Sequence, residues 1–148
     1  MKLEHLERSH KGEAAPGTQF LDPEGKRTSL AAFRGKPVLL NLWATWCIPC
    51  VKEMPTLDAL AGKKNNQIKV ITLSQDLKGK EVVTPWLAKA GFRHLEPWTD
   101  PDTAFSVNQN VNLPTTILYD SAGKEVWRVT GDLDWTGPEA TALLAEAS

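Results

Sequence analysis

Cysteine is scarce in this 148-residue chain: Cys47 and Cys50 are the only two, and tyrosine occurs once. With no further thiols to pair, the disulfide framework that staples many small secreted domains is excluded. Long apolar runs are missing as well. The longest, residues 38–44, is interrupted by Asn41 and is far too short to cross a bilayer. Neither sign of charge is in excess. Seventeen basic and 18 acidic side chains give a formal net charge of −1, which offers no electrostatic reason to bind nucleic acid or an anionic membrane surface. A secretory leader is not legible either, because Met1-Lys2-Leu3-Glu4-His5-Leu6-Glu7-Arg8 is charged and lacks an apolar core. The chain therefore reads as cytoplasmic, or as one from which a signal or anchor has been cut.

What remains is ordinary in bulk. Hydrophobic residues make up 41 % and charged residues 24 %, the composition of one domain large enough to bury a core. Residues 1–14 are polar and aperiodic and are expected to be a disordered lead-in, followed by a single domain over 15–148. Residues 19–21 and 28–30 flank Asp22-Pro23-Glu24-Gly25, a turn signal between two short strands. Ala31-Ala32-Phe33 suits one helical turn. Residues 37–43 form an almost unbroken apolar run, the mark of a strand covered on both faces. After it, Val51, Met54, Leu57, Leu60 and Ala61 recur at helical spacing up to Gly62, with Pro55 as a kink inside the helix.

Residues 68–73 read as the next central strand. Thr84 as N-cap, Pro85 at the first helical position and Gly91 past the end delimit a second helix, with an earlier start near Lys80 as the alternative. Residues 102–108 suit a short helix. Residues 115–119 and 125–130 are strands joined through Asp120-Ser121-Ala122-Gly123, and Gly137-Pro138 opens a last helix. Alternation followed by a hairpin predicts an α/β fold, a mixed sheet with helices on both faces.

The two cysteines lie in Trp46-Cys47-Ile48-Pro49-Cys50. A disulfide across so short a loop removes little entropy from the unfolded chain, so the spacing points to exchange chemistry. A helix beginning at the motif puts Cys47 beside unpaired N–H groups and the positive end of the dipole, which stabilise a thiolate. Cys50 lies one turn further in, on the same side and more covered. Cys47 is thus the expected nucleophile and Cys50 the resolving thiol. Ile48 keeps the loop apolar, and Pro49 pre-sets its backbone. A structural zinc site would need two more ligands, and His5, His10 and His94 stand at no ligand spacing, so no metal is expected. Leu113-Pro114-Thr115-Thr116 is the second feature. Pro114 heads a good strand, where it cannot donate to the ladder. It is read either as an ordinary trans proline or as a cis turn folded against the CxxC, leaving the Leu113 backbone free to pair with an extended substrate.

The segments Leu42-Trp43-Ala44-Thr45-Trp46-Cys47-Ile48-Pro49-Cys50 and Leu113-Pro114-Thr115-Thr116 and the hairpin over 117–131 resemble the thioredoxin superfamily. Within it, the chain resembles the TlpA/ResA-like thiol–disulfide oxidoreductases of bacterial envelopes, whose N-terminal hairpin is matched by residues 20–36. The resemblance implies a thioredoxin-like fold with an extra N-terminal β-hairpin, an exposed first cysteine, a buried second one and Pro114 in cis. It implies Trp46, Ile48, Pro49, Leu113, Pro114 and Thr115 as the substrate-binding set, and a redox-active Cys47–Cys50 disulfide with no other cofactor. It further implies a monomer on the periplasmic side, free or membrane-anchored. Such a protein reduces protein disulfides in cytochrome c maturation or copper-protein and oxidase assembly, with electrons from a membrane thiol-transport protein. Classical thioredoxins carry a buried aspartate where this chain has Asn41. Asp76 is the ionisable candidate to tune the site in its place, a solvated loop aspartate being the plainer reading. Two rival functions remain open from the residues: a thiol-based copper-binding or metallochaperone module using Cys47, Cys50 and a histidine, and a peroxiredoxin-like peroxidase, for which Thr45 is poorly spaced.

Overall fold

The computed structural model describes residues 5–64 and 66–147. In chain order it contains β1 (Leu6–Glu7), β2 (Phe20–Leu21), β3 (Arg27–Thr28), a 3-10 turn (Leu30–Phe33), β4 (Val38–Trp43), α1 (Ile48–Ala61), β5 (Lys69–Ser74) and α2 (Lys80–Ala90). There follow β6 (Trp98–Thr99), α3 (Ala104–Gln109), β7 (Thr115–Tyr119), β8 (Glu125–Thr130) and α4 (Pro138–Leu144). One mixed sheet runs in the order β1-β8-β7-β4-β5-β6-β2-β3. β4 is its centre, parallel to β5 and antiparallel to β7.

All six residues of β4 are buried, as an apolar run covered on both faces requires. Alternation sorts its side chains. Leu39 and Trp43 join a core formed with Met54, Leu57 and Leu60 of α1, Val83 and Leu87 of α2, and Ala140 and Leu143 of α4. Val38, Leu40 and Leu42 face the other way, into a second core with Phe20, Leu30, Trp98 and Phe105 of α3. Helices thus cover both faces, and the predicted N-terminal hairpin is the β2–β3 pair, whose turn is closed by the Asp22 side chain accepting from the Glu24 and Lys26 amides.

Two expectations change. The lead-in read as disordered is, over residues 5–14, seated on the sheet: Leu6 and Glu7 pair with Val129 and Arg128, and Ala14 bridges Lys124. A two-residue strand carries no periodicity from which to read it, and its order comes from the β8 edge it covers. Residues 1–4 of that expectation lie outside the described residues. The second helix takes the earlier of its two expected starts, at Lys80 and not after Thr84, because Val83 and Leu87 bury one continuous stripe. Pro85 consequently lies inside α2, where it removes a backbone bond in the second turn, and Gly91 ends the helix in the left-handed region at φ 80°.

Candidate active site

The turn after β4 delivers the cysteine pair to the N-terminus of α1. Cys47 is the N-cap residue, with extended backbone (φ −94°, ψ 107°), and its sulfur accepts from the Cys50 amide at 3.4 Å. Cys47 and Cys50 are joined as a disulfide with Cα atoms 5.2 Å apart. The first helical amides therefore converge on Cys47, the position at which a thiolate gains most from the helix end. Cys47 is less open than the resemblance implied, at 7 % exposure, and Cys50 is fully covered. The small opening at Cys47 faces a groove.

That groove is a cavity of about 460 Å³ lined by Trp46, Cys47, Gln75, Thr103, Ser106, Val111, Asn112 and Leu113. Cys50 is not among its walls. The Leu113–Pro114 peptide is cis. Pro114 Cα and the start of β7 are held by the Pro114 carbonyl accepting from the Gly131 amide (2.8 Å) and by the Thr115 hydroxyl donating to the Asn112 carbonyl (2.6 Å). The Leu113 backbone makes no hydrogen bond among the described residues. Trp46 and Ile48, together with Leu77 after β5 and Val107 on α3, are the exposed large apolar side chains among the described residues, between 67 and 82 % exposed. Pro49 is also exposed. α3 forms the far wall and is fixed at both ends by buried polar groups. Asp100 accepts from the Ala104 and Phe105 amides and from the Gln75 side chain, which in turn accepts from the Ser106 hydroxyl (2.7 Å). At the other end, Arg128 donates to Gln109 and to its buried partner Glu125.

Asp76 is not a solvated loop residue. It is 4 % exposed, and its carboxylate accepts from the Thr45 amide (3.0 Å), the Thr45 hydroxyl (2.7 Å) and the Ser74 hydroxyl (2.7 Å). It ties the end of β5 to the residue two before Cys47, so it braces the loop that carries the motif.

Sequence reasoning missed Glu53. It lies three residues beyond Cys50, hence on the same face of α1, and is 2 % exposed. Its carboxylate accepts from Asn41 Nδ2 (2.8 Å), the Leu133 amide (3.1 Å) and Trp135 Nε1 (3.0 Å). Asn41 also donates to Thr116 Oγ1 (2.9 Å), and its Oδ1 is buried without a partner. Burial pushes the Glu53 carboxyl up to about 7, against the pull of its three donors; Asp132 nearby raises it further. The Asn41 position thus does not lack an ionisable neighbour, which arrives from α1. The signal was present as an acidic residue inside the apolar stripe Cys50, Met54, Leu57 and Leu60.

The rival site sets do not assemble. His94 packs against Gly62, at the C-terminal end of α1 and so a full 14-residue helix away from Cys47. The Thr45 hydroxyl is committed to Asp76. Among the described residues no group of three or more His, Cys, Asp and Glu side chains is arranged to hold a metal ion.

The Redoxin family model matches residues 10–144. The chain is 35 % identical over 123 residues to the thiol-disulfide oxidoreductase ResA of Bacillus cereus, covering 82 % of this chain and 70 % of the relative. To ResA of Bacillus subtilis it is 32 % identical over 124 residues, covering 82 % and 68 %. The crystal structure of the exposed lipoprotein thioredoxin Etrx1 of Streptococcus pneumoniae superposes with a TM-score of 0.70 at 24 % identity, covering 86 % of this chain and 98 % of that one, a likeness of fold. With a thioredoxin-like fold and a Cys47–Cys50 disulfide at the head of α1 as its redox group, the chain belongs to the Redoxin family as a TlpA/ResA-like thiol–disulfide oxidoreductase.

Proposed function

We propose that the protein is a reductant of disulfides in envelope proteins, with Cys47 as attacking thiol and Cys50 as resolving thiol. The observation that carries this reading is the asymmetry of the pair: Cys47 opens onto the groove, while Cys50 is sealed in the core one helical turn above Glu53. In the reduced protein the Cys47 thiolate attacks one sulfur of a client disulfide and expels the other as a thiolate, leaving a mixed disulfide. Cys50 then gives its proton to Glu53 and attacks Cys47 Sγ. The Cys47–Cys50 bond forms, the mixed disulfide breaks, and the second client thiolate leaves with the electron pair. Two electrons pass to the client, and the leaving thiolates take up protons. A proton acceptor with a pKa near 7 is matched to this task at neutral pH.

Trp46, Ile48, Pro49, Leu113, Pro114 and Thr115 form the substrate-binding set. The unpaired Leu113 backbone accepts an extended client strand, and the exposed Trp46, Ile48 and Pro49 beside Cys47 receive its flanking side chains. The clients are proteins of cytochrome c maturation or of copper-protein and oxidase assembly, on the periplasmic side of the membrane, and a membrane thiol-transport protein restores the dithiol. No helix among the described residues is long and apolar enough to cross a membrane.

Trapping tests the roles. Cys50→Ala accumulates a mixed disulfide with client at Cys47, and Cys47→Ala accumulates none; equal trapping by both rejects the assignment. A redox titration in glutathione buffers tests direction. A potential near that of thioredoxin, about −270 mV, supports a reductant, and one near about −120 mV, in the range of strong oxidants, opposes it.

A further inference from the structure

We propose that Trp135 is a positioning residue for the exchange reaction, its indole N–H holding the Glu53 carboxylate in place and ionised for the resolving step. The inference rests on Glu53 being the proton acceptor for Cys50. Trp135 is 1 % exposed and stacks on Trp127, with ring centroids 6.1 Å apart and planes 10° apart. Trp127 is itself pinned, its Nε1 donating to the Leu143 carbonyl of α4 at 3.1 Å. The Trp135 amide donates to Thr56 Oγ1 at 3.1 Å. Ring and backbone are therefore fixed from three sides, and Nε1 has one place to point, Glu53 Oε2 at 3.0 Å.

That arrangement exceeds what packing needs. An apolar ring would fill the same stack, whereas a buried indole N–H requires an acceptor. The acceptor here is the one carboxylate beneath the cysteines, and a bond from a neutral donor to an ionised group stabilises the charged form. The remaining neighbours give Glu53 little help. β4 and β7 present the neutral Asn41 and Thr116. The loop after β8 presents Asp132, which disfavours the charge and is itself 4.0 Å from the exposed Lys52 of α1. Asp134, in the same loop, is turned outward onto Thr136. α4 contributes Ala140 and Leu143, both apolar.

The test uses the reduced protein and 5,5′-dithiobis(2-nitrobenzoate). The first nitrothiobenzoate is released when Cys47 attacks. The second is released when Cys50 gives up its proton to Glu53, attacks Cys47 Sγ and displaces the nitrothiobenzoate thiolate. The second phase in the unmodified protein is expected to rise with pH through an inflection near 7. Trp135→Phe keeps an aromatic ring in the stack and loses the N–H. Its second phase should slow by about tenfold to a hundredfold at pH 7, the worth of one hydrogen bond to a charged group. Its inflection should move to higher pH with the plateau retained and the first phase unchanged. Trp127→Phe, which keeps an aromatic ring against Trp135 and loses the bond to the Leu143 carbonyl, should leave the inflection where it is. Benzothienylalanine at position 135, with sulfur for the N–H and the full bicyclic shape, should reproduce the Phe result and serves if the Phe variant does not fold. If Glu53→Gln keeps the original inflection, the reading of Glu53 as proton acceptor fails. If Glu53→Gln abolishes the inflection but neither position-135 variant moves it, the role given to Trp135 fails alone.

Discussion

Replacing Glu53 by glutamine exchanges a titrating buried group for a neutral one of the same shape, and the hydrogen bonds can be followed atom by atom. The glutamine oxygen accepts from the Leu133 amide and Trp135 Nε1, as Oε2 does now. Its NH₂ would meet Asn41 Nδ2, but Asn41 has a buried, unpartnered Oδ1. A turn of that amide offers Oδ1 to both the glutamine and the Thr116 hydroxyl. The turn puts the Asn41 NH₂ where Oδ1 now has no partner, a cost that does not vary with pH, so the pH-dependent part of the difference between the two proteins reduces to the cost of the charge. Burial raises the Glu53 carboxyl from 4.5 to about 7, a gap worth on the order of 3 kcal/mol at 1.36 kcal/mol per pKa unit. The native state holds the Glu53 proton between those values while the unfolded chain has lost it, so the contribution of Glu53 is fully present below 4.5 and is lost as pH rises through 7. Glutamine does not titrate. In urea unfolding of the two oxidised proteins between pH 4.5 and 8, the stability of Glu53→Gln relative to the parent should climb by about 3 kcal/mol across that window. All other titrating groups are shared and cancel. A flat difference, or one that falls with pH, refutes the claim that Glu53 is buried at a cost and ionises near neutrality.

Two further perturbations address the loop and the groove. Asp76→Ala removes the acceptor of the Thr45 amide and hydroxyl and of the Ser74 hydroxyl; with buried donors stranded it should cost about 1–3 kcal/mol and slow the first phase of the nitrobenzoate reaction, and a variant with unchanged melting and unchanged first phase shows that Asp76 braces nothing. Leu77→Glu and Val107→Glu place charges on exposed apolar side chains two residues from Gln75 and one from Ser106, which line the groove. Covering one such side chain is worth about 1.5–3 kcal/mol, so each should lower kcat/KM for insulin disulfides by about tenfold or more while leaving the small uncharged 2-hydroxyethyl disulfide unaffected, and equal loss on both substrates would place the defect in the cysteines and not in docking.

Much of this fold could be read in advance because its signals are local and redundant. The apolar run, broken only at Asn41, located β4 to within one residue of Val38–Trp43, and turn residues bounded β7, β8 and α4. What escaped had no local signature. β1 and β6 are two residues each, too short for any period, and exist because a neighbouring edge offers partners. Thr84-Pro85 spelled a helix start, but the burial of Val83 and Leu87 carried α2 back to Lys80, tertiary packing overriding a capping signal.

The site divides along the same line. Cys47, Cys50 and Pro114 are legible because their spacing and chemistry are unusual in themselves. Glu53, Trp135 and the true surroundings of Asp76 are ordinary residues made unusual only by where the chain returns. Glu53 lies in α1, Asn41 in β4 and Trp135 beyond β8, separated by 12 and 82 residues from Glu53 and brought to one carboxylate. Asn41 stands where classical thioredoxins carry a buried aspartate, and neither β4 nor the loop after β5 shows in sequence which carboxylate lies beside it. The fold supplies a carboxylate from the helix that bears the cysteines, so that in the proposed mechanism both sulfurs and the proton acceptor belong to α1 and its N-cap. A group on α1 keeps its register with Cys50 whatever the sheet or loops do, and the neutral Asn41 serves as a donor to that acid.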